Sequence, residues 1–508
     1  MPVFLRRTSG AVLAYAIATQ GAWADLTAEQ VWADWSAYLG GMGYDVAGTE
    51  SRSGDTLTIT DFSMSMGIPE QDSAMSFSMP QITMTDQGDG SVRIGLPEEF
   101  PLTFVFSVED EAPVTGTLTY TNRNMSMVAT GDPDDMTYDY SADQVSLRLA
   151  SLEADGETMP ADALSFLLEM TSISGTSEMK LGEMRDLVQS FTASGLTYAL
   201  SFDDPDSDDA GNFSGTLSDV RYSGTGSLPT SFDATNFSDM LKSGFAFDAL
   251  MSYGAGSGNM AAKGDGDDFA MTSSSQGGDF RIAMDASHVV YDLKGRQSQI
   301  SMTTQDLPFP IDLAMAESGF KLDIPTQAGD DPQPFGFGMN LTGFTMSDMI
   351  WGMFDPAGAL PRDPATVALD LSGMVTVLVD FLDPTVAETL EATGGAPGEL
   401  NELTINQLLV SLVGAKLTGT GAFTFDNSDY ESFDGIPAPS GVANLTLSGA
   451  NALLDKLIAM GFVSEDDAMG ARMMMGMLAV PGDAPDTLNS KIEINEQGHI
   501  LANGQRIK

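Results

Sequence analysis

Apolar and polar residues alternate one by one over much of this chain. Phe62, Met64 and Met66 share one parity, with Ser63 and Ser65 on the other. Met75, Phe77 and Met79 repeat the arrangement against Ser76 and Ser78, and past Pro80 it resumes with Ile82 and Met84 against Thr83 and Thr85. Alternate side chains of a β-strand share a face, so the pattern predicts two strands with a common apolar surface. Further runs of the same kind are SVRIGL (91–96), PLTFVFSVED (101–110), VTGTLTYTNRNMSMVAT (114–130) and MTYDYSADQVSLRLA (136–150). Gly, Asp, Asn or Pro separates them, which reads as an antiparallel meander with one wet face. The style returns at 280–325, 415–429 and 441–449.

Helical spacing interrupts the strands. Thr27 and Gln30 form a capping box ahead of Val31, Trp32, Trp35, Tyr38 and Leu39, and Gly40-Gly41 ends that helix. Leu181, Met184, Leu187, Val188 and Phe191 predict a second helix, and Met240, Leu241 and Leu250 another near 238–252. Similar spacing predicts helices over 345–354, 374–392 and 402–413. Two more follow at ANALLDKLIAMG (450–461) and SEDDAMGARMMMGMLA (464–479), before a closing hairpin over 490–508. The expected class is α+β, predominantly antiparallel meander sheets with interspersed amphipathic helices, in an extended curled sheet.

The first 24 residues read differently. Arg6 and Arg7, an apolar run from Ala11 to Ala18, and Ala22-Trp23-Ala24 describe a secretory signal cleaved after Ala24. The run is too short to span a bilayer, and no later segment offers about 20 uninterrupted apolar residues. The expectation is an exported, periplasmic chain with no transmembrane segment in its mature part. The glycine-rich stretch 254–268 suggests a division into a β-rich half at 25–265 and a second half at 266–508 with the terminal helices and hairpin. Segments 95–107 and 306–318 share a Leu-Pro and a following strand, a recurrence that short strand–turn units also produce by chance.

A formal charge of −50 opposes nucleic acid and anionic membrane surfaces as partners. Cysteine is absent in spite of the expected export, so stability rests on size and burial. Catalytic raw material is sparse. His288 and His499 are the only histidines, each in a strand-like setting, which leaves little for a zinc cluster or a Ser-His-Asp triad. Ser177-Glu-Met-Lys180 fits S-x-x-K, but Lys416-Leu-Thr-Gly misses the partner K-T-G and no S-D-N occurs. Asp204, Asp206 and Asp208 alternate as calcium ligands do, yet Asp209 stands where such a loop needs glycine and Gly215 where it needs glutamate. The 32 methionines suggest a soft metal, but their period-2 spacing at 64–84 places them as strand-face residues, and neither histidine is near. No catalytic residue, metal ligand or cofactor is assigned, and ligand-binding positions are unknown.

GTGAFTFDNSD (419–429), GVANLTLSGANALLDKLIAMG (441–461), GARMMMGML (470–478) and INEQGHILANGQRI (494–507) resemble an exported bacterial family, domain of unknown function 2125. Residues 346–373 and 25–35 are similar to it too. The family supplies no functional residues to carry over. The ending is also reminiscent of AsmA-like envelope proteins, a likeness that implies an apolar groove associated with lipid. The leading expectation is a non-enzymatic envelope protein that binds an apolar ligand such as a lipid, or an envelope partner. The alternatives are a structural or interaction protein with no small ligand, with or without calcium stiffening its acidic loops, and a hydrolase working with carboxylates alone.

Overall fold

The computed structural model describes residues 25–508 apart from 69–72, 109–111, 155, 161–162, 205–206, 231–236, 265–267, 384–385, 387–389 and 391–395. The signal-peptide reading falls on residues 1–24, outside the described residues. Strand accounts for 64% and helix for 12%, in one large curled antiparallel sheet, so the α+β expectation holds only loosely.

Helix α1 (Ala28–Gly41) leads into β1 (Asp45–Ser53), β2 (Thr56–Ile68) and β3 (Ser73–Asp86). Four half-length strands follow: β4 (Val92–Gly95), β5 (Glu99–Val108), β6 (Val114–Arg123) and β7 (Ser126–Asp132). Next come β8 (Asp135–Ala154), the two-residue β9 (Glu157–Thr158), and the long β10 (Leu164–Leu181), β11 (Met184–Asp203) and β12 (Ala210–Pro229). After α2 (Phe237–Lys242) stand β13 (Ala246–Tyr253), β14 (Gly256–Lys263), β15 (Phe269–Ser275) and β16 (Gly278–Met284). Then β17 (His288–Thr304), β18 (Ile311–Pro325) and β19 (Gln333–Met346) lead to α3 (Asp348–Phe354). The chain continues through β20 (Ala365–Val377), β21 (Gly398–Leu412), β22 (Ala415–Asp426) and β23 (Ala438–Ser448) to α4 (Ala450–Ala459) and α5 (Glu465–Leu478). It ends with β24 (Val480–Pro481), β25 (Thr487–Ile494), β26 (Ile500–Ala502) and β27 (Gln505–Arg506). Strand β14 pairs both β12 and β15.

The methionine strands pair as their alternation predicts. Phe62 lies opposite Met79, Met64 opposite Phe77 and Met66 opposite Met75. On the other side of a break, Ile59 meets Ile82 and Leu57 meets Met84. The break is Asp61, whose φ of 52° puts it in the left-handed region, facing Pro80. It shifts the apolar parity by one, so that residues 59 and 62 point the same way. Every neighbouring strand has its own break at the same level. Gly48 interrupts β1, Asn124 (φ 52°) separates β6 from β7, and Ser172 (φ 50°) and Asp219 (φ 51°) kink β10 and β12. Gln297 (φ 51°) does so in β17 and Gly343 (φ 67°) in β19, while β13/β14 and β15/β16 simply end there. A continuous crease therefore crosses the sheet from β1 to β19 and divides it into two arms that share one apolar face.

Helix α1 closes one part of that face. Its capping box is present: the Gln30 amide donates to Thr27 Oγ1 and the Thr27 amide to Gln30 Oε1 (2.9 Å). Asp86 of β3 accepts from the Ala28 amide at 2.7 Å, anchoring the first turn. Val31 and Trp32 bury against Leu57, Ile59, Met84, Val92, Met136 and Met179. Beside them Arg185 of β11 donates twice to Asp34, at 2.6 and 3.1 Å, with both side chains only 8% exposed. The Arg185 guanidinium also lies 5.1 Å from the Tyr38 ring. Trp35 Nε1 donates to Tyr138 Oη at 3.2 Å, and burial, with Asp34 nearby, pushes the Tyr138 phenol from 10.0 up to about 12.

Several expected helices are strands. Leu181 and Met184 end β10 and begin β11, so the three-residue step there is a hairpin turn, and Val188 is half-exposed on the outer face. The helix expected over 402–413 is β21, whose pairing slips between Ile405 and Leu408. One extra residue in a strand turns an i, i+2 series into i, i+3, which is what a helix shows. Only Phe237–Lys242 of the 238–252 prediction is helical, and β13 takes the rest. Residues 374–377 of the 374–392 prediction belong to β20, and much of its remainder lies outside the described residues. Helices stand where expected at α1, α3, α4 and α5. None of the described helices is long and apolar enough to cross a membrane.

Removing one partner of a buried ion pair strands the other charge, at a cost of about 3–5 kcal/mol. Asp34→Ala is expected to lose about 3 kcal/mol in urea unfolding followed by tryptophan fluorescence, and Asp34→Leu with Arg185→Leu distinctly less. Because folding raises the Tyr138 pKa, its contribution is complete below pH 10 and is lost as the pH rises to about 12. The melting temperature should fall across that window, and less steeply in Tyr138→Phe.

Candidate functional site

Beyond α1 the described residues place no comparable cover on the same apolar face. Strand register sets its side chains in rows. On one arm Phe191, Tyr222, Met251, Phe280, Leu293, Phe320 and Met339 are successive cross-strand neighbours. On the other, Leu200, Phe213, Met260, Met271, Met302 and Ile311 form a parallel row. Under α1, Ile59 and Met84 are 0% exposed, whereas Phe213 is 49%, Leu200 44%, Met339 43% and Phe320 40% exposed. Seven strands at about 4.8 Å spacing make the first row about 29 Å long. One leaflet of a bilayer holds its acyl chains in about half of a 30 Å core, so the row has room for more than one such chain.

The surface is also low. Tyr198 lies across the neighbouring strand, so that a Cβ on Gly215 would come within 2.3 Å of its hydroxyl and 2.4 Å of the Ser257 carbonyl. Phe104 covers Gly116 in the same manner, at 2.0 Å. Rings laid over glycines shield backbone without rising from the sheet. Ring pairs knit the rows together, with centroids 5.3 Å apart for Phe191–Tyr222 and 5.0 Å for Tyr198–Phe213.

The opposite face is hydrophilic. Hydroxyl pairs cross it at Ser165–Ser201 (2.7 Å), Thr176–Ser190 (3.1 Å) and Thr216–Ser257 (2.9 Å). A cavity of about 1340 Å³ is lined by His288, Asp292, Lys294, Arg296, Lys321 and Asp323 and also by Leu293, Phe320 and Met339 of the first row. Two of its cations, Lys294 and Arg296, are paired, as is Arg281 nearby on β16. Lys294 pairs with Asp292 at 3.0 Å, Arg296 with Asp279 at 2.5 Å, and Arg281 with Asp248 at 2.7 Å. The Arg281 hydrogen bond holds the Asp248 carboxyl below its usual range. These pairs brace neighbouring strands.

The residues singled out for chemistry are not brought together. Ser177 and Lys180 lie on β10, three residues apart in a strand, hence on opposite faces, and the Gln189 side chain donates to Ser177 Oγ (3.3 Å). Lys416 is on β22, opposite Ser411 and Ser448. His288 Nδ1 sits 3.1 Å from Ser287 Oγ and Nε2 3.2 Å from the Pro334 carbonyl, while the His499 amide donates to Asn495 Oδ1. Asp206 lies outside the described residues, and among the described residues no group of three His, Asp or Glu side chains is placed to hold a metal. Strand methionines line the apolar face, with Met75 opposite Phe106 and Met84 opposite Ile94.

Residues 254–498 match the model of a family described as an uncharacterized protein conserved in bacteria (DUF2125). The chain thus carries that family's sequence in its C-terminal part, and the likeness read at 25–35 falls outside the matched residues. No curated protein and no solved structure matches it.

Gly215→Val forces a branched side chain into the space of the Tyr198 hydroxyl and the Ser257 carbonyl. Overpacking of this kind costs about 1–3 kcal/mol, to be read as a lower urea midpoint at unchanged slope.

Proposed function

We propose that this member of an uncharacterized bacterial family is a non-enzymatic, exported envelope protein that binds apolar chains, such as those of a lipid, along the open face of β11–β19. The single observation that carries the reading is the row from Phe191 to Met339, apolar on seven strands and half-exposed away from α1. A monomer rarely shows a contiguous apolar patch beyond a few hundred Å² without a use for it. Thioethers and flat rings suit a ligand of variable shape, because they re-pack at little cost. Among the catalytic candidates, Ser177 and Lys180 point to opposite faces, which favours binding over turnover. Export rests on the sequence of residues 6–24.

The test uses the 25–508 chain purified without detergent. Native mass spectrometry is expected to find bound lipid, and Nile red to gain fluorescence on the protein. Phe213→Asp and Phe320→Asp, at exposed positions that leave the melting temperature near that of the parent, should each weaken dye binding at least tenfold. A chain that carries no lipid and binds no dye overturns the proposal.

A further inference from the structure

One end of the sheet bears a second apolar surface, on helix α5. The helix turns Ala468, Ala471, Arg472, Met475 and Leu478 inward, with Arg472 held by Asp455 at 2.5 Å. Its outward side carries Met469, Met473, Met474 and Met477, exposed by 58–71%, with Gly470 and Gly476 between them. Past the acidic first turn, Glu465–Asp467, that side has no charged or hydrogen-bonding side chain. A helix that is apolar on both sides belongs between two apolar media, and among the described residues only the inner one is present. Phe462 before the helix and Val480 after it extend the exposed strip. Helix α3, with Met349 and Met353 exposed, leads to the same end: a Cβ on Gly414 would touch Pro361, and one on Gly449 would touch the Gly414 carbonyl.

The C-terminal end of α5 is tied to the sheet. Ser490 Oγ and Asn503 Nδ2 both donate to the Leu478 carbonyl, at 2.6 and 3.1 Å, fixing the end of α5 to β25 and to the turn after β26. From there Leu488, Leu447, Leu417, Val410 and Val367 are successive cross-strand neighbours, leading to Leu341 of β19.

We infer that α5 docks this end of the protein on the surface of a net-neutral lipid bilayer, its methionines entering the headgroup–acyl boundary. The inference rests on the proposed function, since it supplies the place where an apolar chain passes between bilayer and sheet. Fourteen residues of helix lie about 21 Å along such a surface, and inserted apolar side chains reach about 5–10 Å. Charge decides against the other occupants. A second copy would bring −50 against −50, and two-fold pairing of α5 would approach one acidic first turn with another. Anionic lipid meets the same repulsion, whereas a zwitterionic surface does not.

Flotation with vesicles of pure phosphatidylcholine, and of phosphatidylcholine with one-third phosphatidylglycerol, tests this on the 25–508 chain. The protein is expected to float with the first and less with the second, the difference shrinking as salt is raised. Met473→Glu with Met477→Glu should reduce flotation at least tenfold while Nile red binding on the sheet stays unchanged. Met473→Gln with Met477→Gln, which keeps helix propensity and charge, should also weaken it. Failure of the parent chain to float, or flotation indifferent to both variants, overturns the inference. So does a dimer by sedimentation that the glutamate variant dissolves. Flotation without dye binding keeps the docking surface and removes the lipid-binding sheet.

Discussion

The whole sheet depends on keeping one face apolar along strands as long as 20 residues. Side-chain period in a strand is two, so a single extra residue sends every later side chain to the wrong face. The crease is that extra residue, taken up collectively. At Asp61 the backbone enters the left-handed region, which costs a non-glycine residue roughly 1–2 kcal/mol. Without it, Leu57 and Ile59 would face water while Phe62, Met64 and Met66 faced the core, and each misplaced side chain forfeits about 1.5–3 kcal/mol of burial. The slip wins by a wide margin, provided the sequence slips with it. Antiparallel register then passes the requirement on: Ser172 faces the gap at Asp143, and Asp219 the gap at Ser194. Short polar side chains tolerate this conformation best, which is why Asp, Asn and Ser recur along the line.

Two arms on one apolar face leave a problem of cover, and α1 meets only part of it. The helix lands on the arm built from β2, β3, β4, β7, β8 and β10, where the capping box, the Asp86 contact and the Asp34–Arg185 pair fix its position to the residue. Greasy contacts alone would let an amphipathic helix slide along a surface with repeating apolar rows. A buried bidentate ion pair does not slide, because either charge moved off its partner is left desolvated. Ordering at β2–β10 and openness at β11–β19 are thus two outcomes of the same face, separated by what happens to lie on it.

Much of the architecture was legible. Alternation located β2, β3, β4, β5 and β8 and the pairing of the methionine strands, and capping chemistry located α1. The crease has a fainter signal in the sequence: the apolar step from Ile59 to Phe62, or from Met170 to Ile173, is three instead of two. A similar step accounts for the helix expected over 402–413, because Ile405, Leu408 and Leu409 space like a helical stripe when a bulge sits between them. A three-residue step flanked by Asp, Asn or Ser inside a long alternating run marks a kinked strand, whereas a helix repeats the step every turn. The open site was beyond reach for a different reason. Alternation states which residues share a face and says nothing of what covers it, so Ile59 and Phe213 look alike in sequence and differ completely in exposure.

An uncovered apolar face invites copies of the same chain to stack, and the charge bears on this directly. Of 94 charged residues, 72 are acidic. Spread over the hydroxyl-rich face and the turns, they give each molecule a field that opposes approach of another at any separation within a Debye length of about 8–10 Å. The edges are guarded as well. Strand β1 is short, nearly all polar and broken at Gly48, with Arg52 held by Glu29 and Asp86, and the far edge ends in the two-residue β27. Acidity is therefore part of how the fold keeps its open face: it discourages the one partner that every molecule meets at its own concentration.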